Sequence, residues 1–353
     1  MKSRFGNFKG ILAIGVVLLA VAVISAGNFL SREAAAADRI QLNGAGATFP
    51  YPIYSKWFDE FHKAKPDIQF NYQSIGSGGG IRQITSKTVD FGASDGPMSD
   101  AQLDAAPGYI LHFPTVLGGI VPVYNVEGLS GKLNFSQKAI AGIFLGTITA
   151  WNDPAIQEAN PDVKLPGNPI VVVHRSDGSG TSYCWTDFLN KINGTWATRV
   201  GKGTSVNWPV GLGGKGNEGV AGLVKQTPNS IGYVELIYAT QNKIEYGRIQ
   251  NKAGKYVNCT TASVAAAAAS AKMPHDFRVS ITNPPGEDAY PASTFTWLLI
   301  YQNPPNAEKG KQLVSFLKWM LTDGQKFAED LGYVPLPANV VEMEKAAISK
   351  IKV

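Results

Sequence analysis

Ile170-Val171-Val172-Val173-His174-Arg175-Ser176-Asp177-Gly178-Ser179-Gly180-Thr181-Ser182 is the stretch on which the fold turns. Its first four residues are apolar and β-branched, the composition of a buried strand. Beyond it Trp185, Phe188, Leu189 and Ile192 recur at the spacing of one helical face. Between the two lie small residues that suit a helix N-terminus. A strand, a short polar loop and a helix in succession are the repeating unit of an α/β sheet.

The same grammar appears on both sides. Helical spacing recurs at Tyr54, Trp57, Phe58 and Phe61, and again at Leu313, Phe316, Leu317 and Met320. Strand-like runs occur at Ile68–Tyr72, Ile120–Tyr124 and Phe295–Tyr301. Gly211–Gly219 and Asn283–Gly286 read as loops. Val264–Ala271 reads as a plain surface helix that Thr261 caps, because alanine is the best helix former. With 353 residues there is room for two cores, hence two domains.

The N-terminus differs from the rest. Lys2, Arg4 and Lys9 precede an apolar run from Ile11 to Ala26, and Ala35-Ala36-Ala37 stands before Asp38. A basic segment, a short apolar run and a small-residue site are the parts of a cleaved secretory signal peptide, assigned to residues 1–37. An uncleaved anchor is the alternative, but the run falls short of the roughly 20 residues a span needs. Residues 1–37 carry a net +3 of the chain's +5, which leaves +2 on the exported part. A broad basic surface for nucleic acid is therefore not expected, and any anion preference must be local. Cys184 and Cys259 are the two cysteines. An oxidising compartment permits their pairing, and two separate buried thiols are equally consistent with the sequence.

Three small-residue loops stand where helices should begin. They are Gly44-Ala45-Gly46-Ala47-Thr48-Phe49-Pro50, Ile75-Gly76-Ser77-Gly78-Gly79-Gly80 and the 174–182 loop. A helix N-terminus offers unpaired N–H groups and the positive end of the dipole, and glycine lets an oxyanion come close. Any one such loop is commonly just a capped turn; three in one chain, one with an arginine, point to an anion. Arg175 is able to grip an oxyanion with two N–H groups, with Asp177 holding the guanidinium. The plainer reading of that pair is a surface ion pair of little worth. None of these three loops carries a P-loop lysine or a GxGxxG pattern, which argues against a nucleotide held by them.

Phe91-Gly92-Ala93-Ser94-Asp95-Gly96-Pro97-Met98-Ser99 adds a carboxylate to this set. Protonated phosphate donates a hydrogen bond to a carboxylate, whereas sulfate has no proton to give. Asp95 has the chemistry of a helix cap too, but Ser99 and Asp100 serve equally well. Arsenate, protonated like phosphate, is not distinguished. The rival of another class is a secreted phosphohydrolase with Ser179 as nucleophile and Arg175 on the phosphate. It lacks a clear base or metal motif, since the histidines are His62, His112, His174 and His275, without metal-ligand spacing. A purely adhesive surface protein would leave the Arg175–Thr181 loop without a purpose.

The strings GAGATFP (44–50), IGSGGG (75–80), VDFGASDGPMSD (89–100), HRSDGSGTS (174–182) and PVGLGGKGNEGVAG (209–222) resemble the periplasmic phosphate-binding proteins of phosphate-specific ABC transporters, the PstS family. The likeness spans nearly all of residues 40–340. It implies an α/β, two-lobed type-II periplasmic binding protein fold with two hinge crossings, near Ile120–Tyr124 and Phe295–Tyr301. Lobe one would then hold residues 38–119 and 298–353, and lobe two residues 120–297. It further implies that Thr48 and Phe49 donate from the first loop, Ser77 from the second, and Ser179, Gly180 and Thr181 from the third. Asp95 would accept the phosphate proton and Arg175 would pair with the anion, steadied by Asp177. No cofactor, metal or catalysis is implied; the partners are inorganic phosphate and the membrane permease subunits of an ABC phosphate importer. The protein would act as a periplasmic monomer. Two departures are Gly78, where a serine is often found, and His174 before the arginine. PVGLGGKGNEGVAG receives no ligand role; its glycines are read as packing at a helix start.

Overall fold

The computed structural model describes residues 39–129 and 132–353, so the expected signal peptide lies outside the described residues. Its strands are β1 (Ile40–Gly46), β2 (Ile68–Ser74), β3 (Phe91–Ser94), β4 (Ile110–Asn125), β5 (Asn134–Phe135), β6 (Val171–Arg175), β7 (Leu212–Gly214), β8 (Ser230–Glu235), β9 (Glu245–Tyr246), β10 (Arg248–Gln250), β11 (Tyr256–Val257) and β12 (Ser293–Tyr301). The main sheet runs β2-β1-β3-β12-β4-β8-β6-β7, with β9 also on β4. β5, β10 and β11 form a small separate sheet.

β4 is the pivot of this arrangement. From Ile110 to Gly119 it pairs with β12, and from Ile120 to Asn125 it pairs with β8. One continuous strand therefore belongs to two sheet halves, and Gly118 and Gly119 stand at the changeover. β12 pairs along its whole length with β4 and partly with β3, so Ser293–Tyr301 lies with the strands of the first half. The result is a two-lobed α/β molecule with a curled sheet.

The helices form where the apolar spacing calls for them. Tyr51–Ala64 buries Ile53, Tyr54, Trp57 and Phe61. Phe58 on its flank stacks on Phe70 of β2, ring centroids 4.3 Å apart, and meets Phe316 of the helix Ala307–Met320 at 5.5 Å. In the other lobe, Trp185 of the helix Gly180–Ile192 stacks on Tyr233 of β8 at 5.3 Å. Each such side chain contributes about 1.5–3 kcal/mol by leaving water, so these aromatic clusters fix the helices that carry the loops.

Three local expectations need correction. The alanine-rich helix is Thr261–Ala269, and its cap is Thr260 rather than Thr261, through a reciprocal capping box with Ser263. It is no plain surface helix, since Val264, Ala267 and Ala268 are buried. Gly211–Gly219 is more than a loop: it holds β7 and the start of the helix Gly216–Gln226. Cys184 and Cys259 are both free and buried.

Candidate oxyanion-binding site

The four small-residue segments converge at the junction of the lobes. Ser77 opens the helix Ser77–Thr85 behind Gly76, whose φ of +85° favours glycine. Ser179 caps the helix Gly180–Ile192, its hydroxyl accepting from the Ser182 N–H at 3.0 Å. Thr48 follows β1, and Asp95 follows β3. All four, with Arg175 and Thr181, are buried.

The second and third loops touch across the junction. The Gly78 N–H donates to the Gly178 carbonyl at 2.8 Å, and the Gly180 N–H donates to Ser77 Oγ at 3.0 Å. A Cβ on Gly78 would stand 3.0 Å from the Gly178 Cα. The backbones approach directly there, which gives the glycine at that position a physical reason. A Cβ on Gly180 would meet both Ser77 Oγ and the Asp95 backbone N within 2.6 Å.

Asp95 is the carboxylate of this cluster that has no arginine paired with it. Thr296 donates to its Oδ1 at 2.9 Å, and Ser77 donates to its Oδ2 at 3.4 Å. Burial drives its pKa up to about 7, partly opposed by the Thr296 bond, the Arg175 charge and the Ser77 bond. It caps nothing: Ser99 caps the helix Asp100–Asp104, with Gln102 completing the capping box.

Arg175, at the end of β6, makes a two-pronged bond to Asp177. Its Nε reaches Oδ1 at 2.7 Å, and its Nη2 reaches Oδ2 at 2.6 Å. Its Nη1 donates to Thr181 Oγ1 at 3.3 Å. Burial opposes ionisation of Asp177, but the bonds and charge of Arg175 and the Gly216 N–H outweigh it and lower its pKa. The arginine side chain is 1% exposed, so this is a rigid, oriented cation rather than a surface ion pair.

Asn217, given no role from sequence, belongs to the same cluster. It is fully buried at the start of the helix Gly216–Gln226. Its Nδ2 donates to Thr48 Oγ1 at 2.9 Å and to Thr181 Oγ1 at 3.4 Å, and its Oδ1 accepts from the Glu235 N–H at 3.3 Å. Both threonine oxygens are thus occupied as acceptors, which leaves their O–H groups to donate. Asn217 stands just after a strand and a glycine, as the other loop residues do, and that is the signal the sequence offers. Tyr238 and Tyr333 secure the first loop from either side, donating to the carbonyls of Thr48 (2.6 Å) and Phe49 (2.7 Å).

His174 stays out of this chemistry. Its ring stacks on Trp208 at 4.9 Å, and its Nδ1 meets the Arg175 carbonyl at 3.0 Å. The site is tight and polar. An apolar cavity of about 640 Å³ lies elsewhere, lined in part by Ala265, Met273, Phe295 and Val340.

Two lobes joined by shared strands, with small-residue loops meeting between them, define a protein of the PBP superfamily, whose domain model matches residues 31–324. The Haemophilus influenzae phosphate-binding protein PstS is 47% identical over 309 residues, 86% of this chain and 91% of its own. PstS of Xylella fastidiosa is 46% identical over 310 residues, 87% of this chain and 84% of its own. The phosphate-binding protein from Stenotrophomonas maltophilia shares the fold, with a TM-score of 0.68 and 20% identity over 87% of this chain and 94% of its own. The chain belongs to the PstS family of phosphate-binding proteins.

Proposed function

We propose that this protein captures inorganic phosphate between its lobes and delivers it to the membrane permease subunits of an ABC importer, working as a periplasmic monomer after its leader is removed. The observation that carries the reading is Asp95, a buried acceptor within a ring of donors. A phosphate O–H donates to its carboxylate, while the oxygens without protons take N–H and O–H groups from the other segments. Sulfate would set an unprotonated oxygen against a desolvated carboxylate. We assign the remaining contacts to Thr48, Phe49, Ser77, Arg175, Ser179, Gly180 and Thr181, with Asp177 and Asn217 orienting them. Among the described residues no helix is long and apolar enough to cross a membrane.

Lobe one is assigned to residues 38–119 together with Ser293–Val353, and lobe two to residues 120–292. Pairing of all of β12 with β3 and β4 supports placing the second crossing just before Ser293, rather than within Phe295–Tyr301. The interlobe bonds at Gly78, Ser77 and Thr48 support a closed state. A ligand held from both sides shifts the population toward that state. Hydrolysis is disfavoured because the Ser179 hydroxyl serves as a helix cap and the His174 ring is stacked away from it.

Calorimetric titration of the exported chain, refolded to strip bound anion, tests the reading at pH 7–8. The expected result is one tight phosphate site, competition by arsenate and no heat with sulfate. Equal heats for phosphate and sulfate would refute the role of Asp95, and no binding of either would refute the ligand assignment.

A further inference from the structure

Glu235 ends β8 and caps the helix Leu236–Asn242, its Oε2 accepting from the Ile237 N–H at 3.3 Å. The side chain is fully buried, yet its Oε1 has no hydrogen-bond partner. A buried carboxylate oxygen without a donor is costly when ionised and far cheaper when protonated. The groups facing it give no relief. Asp95 is a second carboxyl, and Tyr238, Tyr333 and Cys259 are neutral groups that burial keeps protonated. Burial, opposed by the Ile237 bond and reinforced by the Asp95 charge, holds the Glu235 carboxyl well above the usual range.

Part of what surrounds Glu235 comes from the other lobe. A Cβ on Gly118, where β4 changes partner, would meet Phe49 Cζ at 2.7 Å and Glu235 Oε1 at 2.9 Å. The phenyl ring and the carboxyl oxygen therefore crowd the same Cα. Phe49 lies on the first ligand loop, held by the Tyr333 hydroxyl and packed on its ring at 5.9 Å. That loop is fastened to the Glu235 side by Tyr238 and Asn217 bonding to Thr48. Opening the lobes about β4 would withdraw Phe49 and Tyr333 and admit water to the carboxyl.

We propose that Glu235 is a closure-linked proton site: it takes up a proton as the lobes shut over the anion and releases it as they open. The inference rests on the reading that the anion is phosphate. Delivery would then return a proton together with the anion at each opening. Because the closed form is the protonated one, affinity falls as pH rises above the ordinary carboxylate range. The fall approaches about tenfold per pH unit relative to a variant without this site.

The test is calorimetry with inorganic phosphate in buffers of different ionisation heat, which counts protons bound per phosphate. It uses the wild type and Glu235→Gln at pH 5.5, 6.5 and 7.5. Glutamine keeps the cap acceptor and copies the protonated shape. The expected result is about one more proton taken up by the wild type, with an affinity ratio between the proteins that shifts steadily with pH. Equal proton counts overturn the inference while leaving phosphate binding intact. Absence of phosphate heat in the wild type overturns the underlying reading and this inference with it. A second measurement needs no variant: infrared difference spectra of the wild type with and without phosphate should gain a protonated-carboxyl C=O band. Its absence also overturns the proposal.

Discussion

Replacing Asp95 by asparagine should make the phosphate-free protein more stable, and more so as pH rises. In the fold its carboxyl titrates at about 7, against an ordinary value of 3.8. A group raised by folding contributes fully only below its unfolded pKa, and that contribution is lost as pH rises through the folded value. Between pH 4 and pH 8 the wild type therefore loses about 3–4 kcal/mol at this one site. The Asp95→Asn variant has no such loss, and its side-chain amide oxygen still accepts from Thr296. Static differences in packing cancel when the variant-minus-wild-type stability at pH 4 is subtracted from that at pH 8. Urea unfolding of both proteins, stripped of anion, at those two pH values gives the number directly. A difference that stays constant within about 0.5 kcal/mol would refute the claim that Asp95 stays buried and far from its usual ionisation once the anion is gone. The same variant should bind phosphate more weakly and reject sulfate less firmly, as calorimetry would show.

Asn217→Ala should weaken phosphate binding by roughly ten- to a hundredfold, since Thr48 and Thr181 lose the donor that orients them, a deficit of about 1–3 kcal/mol; titration calorimetry checks it, and unchanged affinity would return Asn217 to a packing role. Glu344, fully buried in the helix Ala338–Ile348 with neither oxygen bonded, has its pKa raised by burial. Glu344→Met should thus stabilise the protein by about 1–3 kcal/mol, with a larger gain at pH 8 than at pH 4.5 in urea melts. Because Cys184 and Cys259 are free and buried, a thiol reagent should label neither in the native protein and both after denaturation, and phosphate affinity should not respond to reductant.

The ligand loops are legible because their chemistry is local: glycine, serine and threonine at a strand-to-helix turn state what the backbone will do there. Even the competing roles of Asp95 are in view from sequence, and the structure gives the cap to Ser99. Asn217 leaves in the sequence only its place after a strand and a glycine, because its meaning depends on Thr48 and Thr181, 169 and 36 residues away. The alanine-rich helix misleads for another reason. A run of alanines has no apolar stripe, so its packing against β4 and β12 leaves no periodic trace. The strand pairing that supports the second crossing is equally hidden, since Phe295–Tyr301 has the same composition whichever lobe it joins.

The position of β12 bears on how the chain reaches this shape. It inserts between β3 and β4, which precede it by about two hundred residues. Until Ser293–Tyr301 has been made and delivered, those two strands face each other across a gap, each with an open edge. The first lobe is then completed by nearly the last part of the chain to emerge. Such long-range closure is slow, which would suit the export proposed above. Truncation before β12 should accordingly abolish folding of the N-terminal half as well, although every residue of β1, β2 and β3 would still be present.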